Sequence, residues 1–180
     1  MRVEVAAISD TGRVREINED SLLVDNELFI FAVADGMGGH AGGEIASATA
    51  IETVRASTAA GIDIKTAIEN AHQEVKKKAQ NQQKLSGMGT TITAIGFSKK
   101  HNLVIAHVGD SRAYKFQKKV NETGETVSQN LMRITKDHSL VEELVDAGQI
   151  TEEEANVHPR RSVITRALGI DGEIEVDEIN

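Results

Sequence analysis

A chain of 180 residues with 39% hydrophobic and 27% charged residues has the composition of one globular domain, large enough to bury a core without staples. Its formal net charge of −8 argues against a binder of the nucleic-acid backbone, which relies on clustered lysine and arginine. The lack of any cysteine excludes disulfides, thiolate metal sites and a cysteine nucleophile.

No apolar run approaches the roughly 20 residues of a membrane-crossing helix, and Glu4 interrupts the apolar patch at the N-terminus, so no signal peptide is expected. These features predict a soluble, cytoplasmic protein. In chain order, the alternation in RVEVAAIS (2–9) predicts a strand that breaks at DTGR. SLLVDNELFIFAVAD (21–35) predicts two strands joined by a turn at Asp25 and Asn26. A small-residue helix is expected from about Gly43 to Ala59, stopping before Gly61. Ile64, Ile68, Ala71, Val75 and Ala79 then recur at helical spacing.

TTITAIGF (90–97), LVIAHVGD (103–110) and RAYKF (112–116) predict a meander with turns at SKKHN and GDS, and NLMRIT (130–135) predicts a further strand. SLVEELVDAG opens with Ser139 three residues before Glu142, the spacing of a capping box, and ends at Gly148. TEEEA repeats that spacing with Thr151 and Glu154. Only one proline, Pro159, occurs, and neither a linker nor a repeat divides the chain, so 1–180 reads as one domain. Strands, a helix pair and then more strands predict an α+β fold, with helices on the faces of antiparallel sheets.

The residues suited to chemistry fall in a few stretches. In VADGMGG a strand ends in Asp35 at a glycine turn, where Gly36, Gly38 and Gly39 let backbone approach a ligand closely. The spacing fits neither a dinucleotide fingerprint nor a P-loop. A hard metal ion could take the Asp35 carboxylate and the Gly36 carbonyl, and a plain strand-to-helix turn would use the same residues. GRVREINED (12–20) gathers Arg13, Arg15, Glu19 and Asp20. Such a cluster suits a solvated face, or else a phosphate clamp beside carboxylates that hold metal-bound water. HVGDSRAY (107–114) places Asp110 in a turn that reads equally as a hairpin. TKDHS (135–139) reads as a helix start capped by Ser139, with His138 incidental.

Taken in order, GxVRxxNED, VADGMGGH, GTT at Gly89 to Thr91, HVGDSRAY and TKDHS resemble the PPM family of metal-dependent protein serine/threonine phosphatases, most closely its bacterial members. The resemblance covers essentially the whole chain. Residues 137–166 are similar to the helical flap region of that family.

The resemblance implies two antiparallel β-sheets packed as a sandwich and flanked by helix pairs, in α-β-β-α layers. It implies two Mn2+ or Mg2+ ions sharing a water, and a third, weaker metal position in bacterial members. By analogy Asp35 bridges both ions and the Gly36 carbonyl binds one. Glu19 and Asp20 hold metal-bound waters, Arg15 clamps the substrate phosphate, and Asp110 serves the third position. Arg13 does not match the clamp. His40 matches a histidine of bacterial members, and is either a general acid for the leaving alkoxide or a side chain satisfied within the glycine loop. Eukaryotic members carry their histidine where this chain has Met37. Two cations would lower the pKa of the shared water for in-line attack on phosphorus, with no covalent phosphoenzyme.

The match fails towards the C-terminus. The family has two more metal-binding aspartates, in SDG and DN motifs, whereas this chain ends at LGIDGEIEVDEIN. Asp171-Gly172 follows RALGI in an acidic loop, and Asp177 and Glu178 fall too early to match them. The expectation is a domain with its C-terminal strands missing, a fragment of a longer phosphatase with impaired turnover. Its partners would be phosphorylated proteins, the products of a serine/threonine kinase, with no nucleic acid and no membrane. The alternative is a catalytically silent phosphatase-like module that binds a phosphoprotein or regulator through the Arg15 surface.

Overall fold

The computed structural model describes residues 3–38, 42–121, 123 and 126–180. Strands β1 (Asp20–Asp25) and β2 (Ile30–Met37) form an antiparallel pair, followed by helices α1 (Gly42–Ala59) and α2 (Ile64–Asn81). Strands β3 (Gly89–Thr90), β4 (Ile92–Phe97), β5 (Leu103–Val108), β6 (Tyr114–Val120) and β7 (Thr126–Arg133) come next. Helices α3 (Leu140–Asp146) and α4 (Glu152–Val157) precede a last strand, β8 (Asp177–Ile179). Among the described residues this makes a mixed α+β fold with two antiparallel sheets and four helices, as the motif order implied.

The larger sheet runs β1-β2-β4-β5-β8, with β3 pairing the end of β2, and the smaller one is the ribbon β6-β7. Period-two alternation in β2 buries Ile30, Ala32 and Ala34 on one face and turns Val33 and Asp35 to the other. The buried face packs on α1 through Ala46, Ala50 and Val54, and on α2 through Ile64, Ile68, Ala71 and Val75. Alanines on both sides allow α1 to lie close to the sheet. The other face keeps Val24, Val33, Ile95, Phe97 and Leu103 exposed.

Local chemistry sets the boundaries. Asp25 Oδ1 accepts the Glu27 and Leu28 amides, closing the β1–β2 turn, and Phe29 takes a positive φ of 52° there. Asp63 caps α2 by accepting the Thr66 amide. Thr151 and Glu154 form the full capping box of α4. At α3 only half of the expected box exists: Ser139 Oγ accepts the Glu142 amide, while the Glu142 carboxylate pairs with Arg133 at 2.6 Å.

Two expectations are corrected. Residues 3–9 form no strand, because no neighbouring strand offers them a ladder. Val5, Ala6 and Ala7 instead line an apolar groove of about 220 Å³ over Phe31, Val33 and Ile95. The meander also stops at β5. β6 leaves the sheet and pairs with β7, so the GDS turn is not a hairpin. Gly109, at φ +112°, turns the chain there, and the edge of β5 is taken by β8 through His107 opposite Asp177.

Candidate metal and phosphate site

Glu19 and Asp20 enter β1 from a tightly turned segment. Gly12 (φ +74°) donates its amide to Asp10, and the Asn18 side chain accepts the Asp20 amide while donating to Ser9. The β1–β2 register then sets Asp20 directly opposite Asp35. Like charges face to face across a ladder repel.

The backbone of Asp35 is clamped by the threonines of the GTT stretch. The Asp35 amide donates to Thr91 Oγ1 at 3.0 Å, and the Asp35 carbonyl accepts from the Thr91 amide at 2.9 Å and from Thr90 Oγ1 at 2.9 Å. Both threonines are fully buried. Residue 36 must be glycine on steric grounds, since a Cβ there would overlap the Gly43 carbonyl and stand 2.6 Å from the Glu19 carbonyl oxygen. That Glu19 carbonyl accepts from the Gly36 amide at 3.1 Å and from the buried Ser47 hydroxyl of α1 at 2.6 Å. The first turns of α1 therefore lock the β1 entry to the end of β2.

The outcome is one cavity of about 520 Å³, whose walls include Arg15, Glu19, Asp35, Gly36 and Asp110. Five of the residues singled out in the sequence, from Arg15 to Asp110, thus come together from three separate segments of the chain. Asp20 joins them electrostatically. Burial pushes the Asp35 carboxyl above its ordinary value, and the nearby charges of Asp20, Asp110 and Glu19 push it the same way. His40 and Gly39 lie outside the described residues. Arg15 reaches Glu19 Oε2 at 3.4 Å, but its side chain is 76% exposed and free to turn toward a ligand.

All the candidate ligands present oxygen, which suits Mg2+ or Mn2+ rather than a softer ion. Negative charge concentrated around the Asp35 carboxyl is relieved most directly by a cation. Among the described residues, no three His, Asp or Glu side chains close into a ready-made cage for one ion. Asp171 stands away from the cavity, almost fully exposed and paired with Lys76.

Some of the cavity's residues were not singled out in the sequence. Arg161, Ser162 and Ile164 form its far wall, and Arg161 and Asp110 also line a neighbouring cavity of about 650 Å³ bounded by α3 and α4. There Arg112 grips Asp137 through two hydrogen bonds from Nε and one of 2.5 Å from Nη2, which ties the GDS turn to the DHS stretch and pushes the Arg112 pKa further up. The available signal for Arg161 was the Pro159-Arg160-Arg161 run just after the end of α4.

Comparison with known proteins agrees with this architecture. A family profile for Protein phosphatase 2C matches residues 13–155. The serine/threonine phosphatase stp of Listeria monocytogenes is 39% identical over 183 aligned positions, which cover 94% of this chain and 68% of that protein. Among solved structures, the PPM Ser-Thr phosphatase MsPP of Mycobacterium smegmatis, in complex with cacodylate, superposes with a TM-score of 0.75 at 35% identity, covering 94% of this chain and 68% of that one. The catalytic domain of the phosphatase PstP, in complex with two manganese ions, gives 0.72 at 37% identity, with 96% and 70% covered. The chain belongs to the protein phosphatase 2C (PPM) family, and its relatives are bacterial serine/threonine phosphatases.

Proposed function

We propose that the Asp35 cavity hydrolyses phosphoserine and phosphothreonine in proteins, with Mn2+ or Mg2+ bound at Asp35 and the Gly36 carbonyl. The observation that carries this reading is the convergence of Asp35, Glu19, Asp110 and Arg15 on one cavity, with the Asp35 carboxyl pushed upward by its acidic neighbours. Bound cations would supply an activated water and neutralise phosphoryl charge. Asp20 and Glu19 would hold metal-bound waters, Asp110 would serve a weaker third position, and Arg15 would turn from Glu19 to grip two phosphate oxygens. His40, which lies outside the described residues, is assigned the leaving-group proton on the family resemblance alone. Substrates are the phosphoproteins made by a serine/threonine kinase.

With Asp35 as the one carboxylate assigned directly to the ions, weak cation binding and low turnover are the expected behaviour of the 180-residue chain. Manganese-dependent release of phosphate from a phosphothreonine peptide tests the reading. Slow turnover that Asp35→Ala abolishes is expected. Turnover that survives Asp35→Ala, or that needs no metal, overturns it. The exposed Arg15 side chain at the cavity also suits a second reading, a catalytically silent module that binds a phosphoprotein or regulator through Arg15. Calorimetric uptake of phosphopeptide in chelator would establish that module and remove the enzyme reading.

A further inference from the structure

Behind the cavity wall lies a buried histidine that the proposed chemistry does not use. His138 is 4% exposed and grips Gly109 from both sides: its amide donates to the Gly109 carbonyl at 2.7 Å, and its Nδ1 accepts the Gly109 amide at 3.0 Å. An amide N–H can only donate, so Nδ1 carries the lone pair and the ring proton sits on Nε2. That proton points to Asp177 Oδ2 at 3.1 Å, and Arg166 Nη1 holds the other Asp177 oxygen at 3.0 Å. The His138 carbonyl meanwhile accepts the Thr165 amide at 2.8 Å, and Leu140 donates to the Val163 carbonyl at 2.9 Å. One residue thus binds the turn that presents Asp110 and the segment that carries Arg161, both of which line the cavity.

We propose that His138, held in one tautomer and orientation by Asp177, is a positioning residue that sets Asp110 against the Arg161–Thr165 segment. Gly109 has φ +112°, and a Cβ there would stand 2.5 Å from the Thr91 side chain, so residue 109 itself has no side chain to fix it. Its geometry is fixed instead by the two bonds to His138, with Thr91 Oγ1 joined to Ser111 Oγ at 2.7 Å on the far side. Asp177 acts at one remove, as a carboxylate that orients an imidazole. The apparent cap-and-helix stretch DHS therefore does three separate jobs: Asp137 grips Arg112, His138 holds Gly109, and Ser139 caps α3.

This inference deepens the metal-site reading and rests on it for its metal readout, so the test has two arms. In the first, Mn2+ affinity of the full chain is measured by electron paramagnetic resonance titration for the unaltered protein, Asp177→Ala, Asp110→Asn and the double variant. Asp177→Ala is expected to weaken Mn2+ binding about tenfold, and to add nothing in the Asp110→Asn background, because Asp177 acts through Asp110. Equal losses in both backgrounds, or no loss, overturn the proposal. A merely structural Asp177 would lower the melting temperature without this dependence on Asp110.

The second arm needs no metal. Amide resonances of Gly109, Asp110 and Thr165 are expected to shift together in Asp177→Ala, and the His138 ring nitrogens are expected to lose the signature of a single tautomer. Unmoved Gly109 and Asp110 resonances overturn the proposal whatever the metal data show. If the unaltered chain binds no Mn2+ while these resonances move together, the phosphatase reading falls and the positioning role stands.

Discussion

Glu19 Oε1 lies against the Cα of Gly43 so closely that a Cβ on residue 43 would overlap it. The entry to β1 and the start of α1 are therefore fitted to one another without a side chain between them. Gly43→Ala is expected to push the Glu19 carboxylate out of its place and to disturb Gly36, whose carbonyl carbon would also be met. A stability loss of about 1–3 kcal/mol, typical of overpacking, should accompany a roughly tenfold loss of Mn2+ affinity. Thermal melts with and without Mn2+ separate the two effects.

Arg15 offers a cleaner test, because its exposed side chain contributes little to the fold. Arg15→Lys keeps the charge and loses the planar fork that matches two phosphate oxygens. We expect KM for a phosphopeptide to rise about tenfold, with the melting temperature unchanged. A KM unaffected by both Arg15→Lys and Arg15→Ala would remove the residue from the phosphate clamp.

Asp35 makes an opposite prediction for stability. Its folded-state pKa is raised, so ionising it costs folding free energy, and the cost begins to fall as pH drops through the folded value and is gone below the ordinary value of 3.8. In chelator at pH 7, Asp35→Asn should therefore melt higher than the unaltered chain, by about 2–4 °C for each kcal/mol of repulsion relieved. The difference should close on acidification. Added Mn2+ should stabilise the unaltered chain and leave Asp35→Asn largely unmoved.

Two buried histidines set a second pH dependence. Burial lowers the pKa of His72, and Lys76 acts in the same direction, although the Gly172 carbonyl partly offsets it. Burial also lowers His107, helped by the neighbouring His138 ring 4.8 Å away. Below their ordinary value of 6.5 the unfolded chain takes up protons that the folded chain refuses, so stability falls with falling pH. Urea melts at pH 7.5 and 5.5 should show the loss, and His107→Asn should flatten it.

The fold was legible where pattern and capping chemistry act locally. The β1–β2 pair, both long helices and the Thr151 capping box follow from alternation, 3.6-residue spacing and side-chain oxygens at the right offset. The strand expected over 2–9 was not realised, because alternation states which face is apolar and cannot supply a pairing partner. β6 was misplaced for a similar reason: a Gly-Asp-Ser turn permits a hairpin, while the edge of β5 goes to a strand far along the chain. At the site, the sequence motifs brought out Arg15, Glu19, Asp35 and Asp110. They left Arg161 unmarked and His138 without a role, since its partners Gly109 and Asp177 are 29 and 39 residues away.

Strand β8 is three residues long and reaches its partner β5 only after β6, β7, α3 and α4 have been traversed. Joining it closes a long loop, and such long-range pairings form slowly and late. Most of the carboxylates of the cavity are assembled from β1, β2 and the turn after β5, before that closure. Asp177 is carried by β8, so the His138 ring proton has this acceptor only while that strand is docked. Fraying of this edge would therefore loosen the hold of His138 on the turn that carries Asp110. In hydrogen exchange, the amides linking β8 to β5 should open well before those between β2 and β4.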